Sequence, residues 1–157
     1  MRYSDHKYTH GIGWSMCHME WVTKYRYKVF RDEDLKTLCL ILLDECAKRH
    51  NFRIEEKEVK SDHVHVLVSL RPSMSPSKAM SLLKGYTSRL LFRLKEEKLS
   101  SWYSRSFRER SLWGDGKFMG SVGHISLEKA KEYLIKQEAH HATRGNPHPL
   151  GLGRMSN

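Results

Sequence analysis

The 157 residues predict a single α+β domain, on three observations. Apolar residues recur at three- and four-residue steps in two long segments, the mark of amphipathic helices. Shorter segments around them are rich in β-branched and aromatic residues, the mark of strands. Cap and turn residues separate the two kinds of segment, so strands and helices alternate along the chain.

Residues 1–15 carry no clear period and read as an N-terminal extension. The segment from Cys17 to Phe30 holds Trp21, Val22, Tyr25, Tyr27, Val29 and Phe30, and reads as a first strand running out into a basic loop. Asp32 suits the N-cap of a helix marked by Leu35, Leu38, Cys39, Leu42, Leu43, Cys46 and Ala47. Phe52 to Val59 alternates apolar and charged residues, as a strand with one solvated face does. After a short turn near Ser61-Asp62, Val64, Val66 and Val68 alternate with His63, His65, Leu67 and Ser69, which makes an antiparallel pair. Ser75-Pro76 opens a second helix, with a capping hydroxyl and proline at the first helical position. Ala79, Leu82, Leu83, Tyr86, Leu90 and Leu94 mark its stripe, on which Tyr86 reads as core. Leu112 to Val122, with Gly114, Gly116 and Gly120, is a fourth strand with irregular entry. Ser126 caps a last helix through about His140, and residues 142–157 read as a flexible tail. The resulting order is that of a ferredoxin-like antiparallel sheet with helices on one face, the other face open and a further C-terminal helix.

The balance of charge narrows the partner. Lys and Arg total 28 against 18 Asp and Glu, a formal net charge of +10. A field of that sign draws in polyanions, and nucleic acid leads among them. The basic residues are dispersed among aromatics, which argues against a membrane surface. No apolar run approaches the roughly 20 residues that span a bilayer, and the N-terminus lacks a signal peptide's apolar stretch, so a cytoplasmic location is expected. Cys17, Cys39 and Cys46 form no C-x-x-C pair, and two of them fall on the first helical stripe as small hydrophobes.

Two local patterns carry chemistry. His63 and His65 lie two apart on a strand, so both imidazoles project from one face and can share a metal ion. Half-buried structural histidines would give the same pattern. Tyr133 and Gln137 lie four apart on the last helix, again on one face. Core packing and solvation are the ordinary roles of such residues, yet a glutamine carbonyl joined to two imidazoles suits Mg²⁺ or Mn²⁺ on a phosphate substrate. A tyrosine is a sensible nucleophile there: one phosphodiester replaces another, so rejoining needs no nucleotide cofactor. His18, on the side opposite Met19 and Trp21 in a regular strand, can neighbour the same site.

Taken in order, the motifs resemble the HUH-type single-tyrosine transposases of the smallest bacterial and archaeal insertion sequences. The resemblance covers Trp21 to about Gln137. It runs through Trp21-Val22-Thr23-Lys24-Tyr25-Arg26, Asp62-His63-Val64-His65, Leu83-Lys84-Gly85-Tyr86-Thr87-Ser88, Leu112-Trp113-Gly114, Gly120-Ser121-Val122-Gly123, and Tyr133 with Gln137. It implies a ferredoxin-like homodimer in which the tyrosine helix of one subunit can complete the site of the other. It implies cleavage and rejoining of single-stranded DNA, recognition of hairpins near the element ends, a 5′-phosphotyrosine link and a released 3′-hydroxyl. By position, His63, His65 and Gln137 become metal ligands and Tyr133 the nucleophile.

DNA contacts are expected from Lys84, Arg89, Arg93, Arg105 and Arg108, interleaved with Phe92, Trp102, Tyr103 and Phe107, and from Lys24, Arg26 and Lys28 after the first strand. Two other readings stand beside this one. A domesticated relative would run the same chemistry on genomic hairpin repeats. A non-catalytic single-strand-binding module would use the fold alone, and leaves His63, His65, Tyr133 and Gln137 unexplained as a set.

Overall fold

The computed structural model of the chain describes residues 14–103, 111–123, 135, 136 and 139. Within them lie β1 (Ser15–Thr23), α1 (Glu33–Arg49), β2 (Arg53–Val59), β3 (His63–Leu70), α2 (Pro76–Leu94), α3 (Glu96–Ser100) and β4 (Trp113–Gly123). The strands form one antiparallel sheet in the order β2-β3-β1-β4, the ferredoxin-like arrangement expected from the element order. The expected last helix falls largely outside the described residues; of it, Ile135, Lys136 and Ala139 are helical. The extension before Trp14 and the expected tail lie outside them too, while Ser15 already belongs to β1.

Both long helices start where their cap residues stand. Asp32 Oδ1 accepts the amides of Asp34 at 2.9 Å and Leu35 at 3.1 Å, and Ser75 Oγ accepts the Lys78 amide at 3.1 Å. Their apolar stripes, including Leu35, Cys39, Leu43, Ala79, Met80 and Leu83, pack on one face of the sheet against Met19, Trp21, Val64, Val66 and Val68. Cys39 and Cys46 are buried and unpaired as disulfides, as expected, and burial pushes the Cys46 thiol up to about 11. Tyr86 is buried, with its hydroxyl 3.3 Å from Glu45 Oε2. At the edge of the core, the Trp113 indole meets Trp21 edge-on at 5.8 Å and donates Nε1–H to Thr87 Oγ1 at 2.9 Å.

Three features depart from expectation. β1 stops at Thr23 and the chain turns through two short 3₁₀ segments, Lys24–Arg26 and Val29–Arg31, where a strand running into a loop was expected. The short α3 follows α2 after the single residue Lys95, held by Lys98, whose ammonium reaches Asp32 at 2.8 Å and Asp34 at 2.9 Å. The second face of the sheet is buried, not open: His18, Glu20, Val22, Leu67 and Ser69 are each at most 2% exposed. Met16, Val22 and Leu67 put apolar groups on that face as well.

The Lys98 contact holds the Asp32 carboxyl below its usual range, with the Leu35 amide acting the same way. A depressed carboxyl stabilises the fold above its unfolded value of about 3.9 and loses that contribution as pH falls through its folded value. Asp32→Ala is therefore expected to cost about 1 kcal/mol at neutral pH through the lost cap. Urea midpoints of the two proteins should converge as the pH is lowered beneath about 4.

Candidate metal centre and nucleic-acid interface

The pairing of β1 with β3 builds the site. The register sets Trp21 against Val64 on the helix side, and Glu20 against His65, Val22 against His63 and His18 against Leu67 on the opposite side or diagonal to it. His65 sits between two partners from β1: its Nδ1 lies 3.4 Å from His18 Nε2, and its Nε2 lies 3.5 Å from Glu20 Oε1. The His18 and His65 rings stack at 5.7 Å, and Phe118 of β4 meets His18 edge-on at 5.6 Å. His18, Glu20 and His65 can each offer one ligand atom, all within 4.8 Å of one another. Two imidazoles and a carboxylate in a dry setting are a donor set that fits a divalent ion.

His63 enters from the next pair along, its ring 4.9 Å from that of His65. Its Nδ1–H donates to Asp62 Oδ1 at 2.7 Å, while Arg26 holds Asp62 Oδ2 at 3.2 Å. Burial works against the Asp62 charge, but the His63 hydrogen bond and the Arg26 guanidinium outweigh it and hold the carboxyl below its usual range. A carboxylate only accepts, so the proton belongs on Nδ1, and Nε2 is the nitrogen presented as ligand. Arg26, expected in a DNA patch, has its guanidinium tied to Asp62, the residue that hydrogen-bonds His63.

The turn after β1 is strained and well anchored. Tyr25 and Arg26 are consecutive non-glycine residues at φ 60° and φ 53°, each a cost of roughly 1–3 kcal/mol that the surroundings must outweigh. Thr23 does much of this: its amide bonds Asp62 O at 2.9 Å and its hydroxyl bonds Tyr27 O at 2.7 Å. The Lys24 amide bonds Leu112 O at 2.8 Å, and the Tyr103 hydroxyl donates to Lys24 O at 3.2 Å. Gly114 fits the same crossing, since a Cβ there would meet Thr23 O at 3.3 Å. The turn holds Tyr25 at 70% exposure and continues through Tyr27 to Trp102, 40% exposed, with ring centroids 5.4 and 5.7 Å apart. Lys24 Nζ lies 5.3 Å from the Tyr25 ring, and Lys28 is exposed. Tyr103 and Phe92, expected with Trp102 to stack on bases, are buried.

A separate cavity of about 880 Å³ runs between α2 and β4, lined by Lys84, Arg89, Arg93, Lys117, Phe92 and Trp113 among others. Lys84 donates to Gly114 O at 3.0 Å; burial, and then the nearby Lys117, lower its pKa. Arg89 also rests against the Tyr86 ring at 5.8 Å. Arg105, Arg108, Tyr133 and Gln137 lie outside the described residues. His18 stands where strand alternation put it. Glu20 was not singled out, although His18-x-Glu20 repeats on β1 the spacing of His63-x-His65 on β3.

Comparison with known proteins agrees with this picture. The family described as "Transposase IS200 like" matches residues 14–137. The transposase for insertion sequence element IS200 of Salmonella typhimurium is 32% identical over 120 residues, covering 76% of this chain and 74% of that one. The ISDra2 transposase TnpA of Deinococcus radiodurans is 34% identical over 124 residues, covering 76% and 81%. Among solved structures, a candidate transposase from Deinococcus radiodurans superposes with a TM-score of 0.62 at 23% identity, over 83% of this chain and 97% of its own. A REP-associated tyrosine transposase bound to a REP hairpin does so at 0.53 and 10%, over 91% and 88%. At those identities the two structures speak for the fold.

The Asp62 contact predicts the tautomer of His63. Nitrogen-15 spectra of the neutral ring should show the proton on Nδ1, and Asp62→Asn should move population toward the Nε2–H form. An unchanged tautomer would remove Asp62 as the orienting group.

Proposed function

This chain belongs to the IS200-like transposase family, and from that premise we propose that it cuts and rejoins single-stranded DNA at the ends of an insertion sequence, with Tyr133 as nucleophile. The observation that supports the reading most is the His63-x-His65 pair, set beside further buried ligand groups on one face of the sheet. A divalent ion, Mg²⁺ or Mn²⁺, held by His63, His65 and Gln137 would supply Lewis-acid polarisation of the scissile phosphate.

The chain's own groups account for the remaining steps. The Tyr133 oxygen attacks phosphorus and forms a 5′-phosphotyrosine ester, while the P–O3′ bond breaks and the departing 3′-oxygen takes up, in net, the phenol's proton to leave as a free 3′-hydroxyl. Attack of a 3′-hydroxyl on that ester reverses the exchange and returns the proton to the phenol. The number of phosphoester bonds is unchanged, so no nucleotide is consumed. The phenol's reference pKa of about 10 means that it must lose its proton within the site. Asp62, held by Arg26, keeps His63 in the ligating tautomer, and the burial of His65 keeps water from competing.

Two surfaces suit the DNA. The exposed Tyr25, Tyr27 and Trp102 rings, with Lys24 and Lys28 beside them, fit unpaired bases and their phosphates. The basic cavity of Lys84, Arg89 and Arg93 fits the backbone of a subterminal hairpin, and Arg105 and Arg108 are proposed as further phosphate contacts. We place the active unit as a homodimer, in which the tyrosine helix can serve the partner's histidines.

Labelled single-stranded DNA from the element ends, incubated with the protein and Mg²⁺, is expected to give a covalent adduct that EDTA prevents and Tyr133→Phe abolishes. An adduct surviving that substitution would remove Tyr133 as nucleophile. His63→Ala is expected to lose cleavage while keeping hairpin binding; equal loss of both would mark the histidine as structural. For the stacking surface, Trp102→Ala should weaken single-strand binding by about 1–3 kcal/mol in a fluorescence titration. Duplex binding should change little.

A further inference from the structure

We infer that Glu20 is a metal ligand in this chain, so that β1 and β3 by themselves assemble a divalent-ion site from His18, Glu20 and His65. The inference rests on the proposed metal-dependent chemistry through His65, which belongs to both ligand sets. It goes further in naming an anionic ligand, and in making ion loading independent of Gln137.

Register is the first support. Glu20 and His65 are direct cross-strand partners, and such pairs on one face hold their Cβ atoms about 5 Å apart. The carboxylate and imidazole therefore converge without loop movement, as the 3.5 Å approach of Oε1 to Nε2 shows. His18 is two residues from Glu20 on the same face and closes the group, the three ligand atoms lying within 4.8 Å of one another. Burial is the second support. Glu20 is 0% exposed and His18 1%, so an ion held by these groups would sit out of water, where its bonds to a carboxylate and two imidazoles are strongest. A divalent ion is a ligand that all three side chains can share. Ligand chemistry sets the preference: a hard carboxylate oxygen among two nitrogens favours Mn²⁺ or Mg²⁺ more than an all-imidazole set does. Phe118, packed edge-on against His18, limits how far that ring can turn away.

The test is Mn²⁺ titrated into the full-length protein without DNA, read by calorimetry and by loss of the free-ion EPR signal. Wild type is expected to bind Mn²⁺, and Gln137→Ala to bind within about twofold of it. Glu20→Gln should weaken binding at least about tenfold, while Glu20→His should shift preference from Mn²⁺ toward Zn²⁺. Wild-type affinity in Glu20→Gln, or unchanged preference in Glu20→His, overturns the assignment of Glu20 and leaves the transposase chemistry standing. Failure of the wild type to bind Mn²⁺ at all overturns the metal reading of the site, and this inference with it. Where a variant does not fold, as circular dichroism would reveal, crystals of the Mn²⁺-loaded wild type decide. The anomalous peak is expected about 2.2 Å from a Glu20 oxygen; a peak beyond roughly 4 Å excludes coordination.

Discussion

The pairing of β1 with β3 is the constraint on which the rest of the molecule depends. With Trp21 opposite Val64 and Glu20 opposite His65, one strand pair sends its core residues to the helices and its histidines and Glu20 to the other face. A slip of one residue would exchange the two sets, burying imidazoles under α1 and α2 and turning Trp21 and Met19 away from the core. The hydrophobic effect that fixes the core thus also fixes the site. No separate device is needed to bring His18, Glu20 and His65 together.

The turn that follows β1 extends this economy to the substrate side. Two left-handed residues in a row are unfavourable, and the segment is held by bonds to Asp62, Leu112 and Tyr103, drawn from three different parts of the chain. The result separates adjacent side chains by purpose. Tyr25 is turned outward, where a base can stack, and Arg26 is turned to Asp62, where it steadies His63. In the basic run of Lys24, Arg26 and Lys28, one charge is therefore already engaged within the chain.

Much of the fold was legible in the sequence because its signals are local. Asp32 and Ser75-Pro76 mark helix starts that the backbone amides confirm, and the alternation of His63 with Val64 places the histidines on one face. Features that depend on distant partners were not legible. Nothing near Tyr25 announces a positive φ, because no glycine is present and the compensating bonds come from residues 62, 103 and 112. The open second face was an expectation from the element order alone, and the burial of His18, Glu20 and Ser69 there is set by tertiary packing that no local pattern announces. The short α3 hangs on Lys98 reaching back to Asp32, a tie across 66 positions that no periodicity reveals.

The buried polar trio also bears on the stability of the chain. A protein that only had to fold would gain by replacing His18, Glu20 and His65 with apolar residues of similar volume, since interior charge and imidazole are poor contributors to stability. Three such groups facing one another across two strands therefore mark a point where the scaffold gives up stability it could have had.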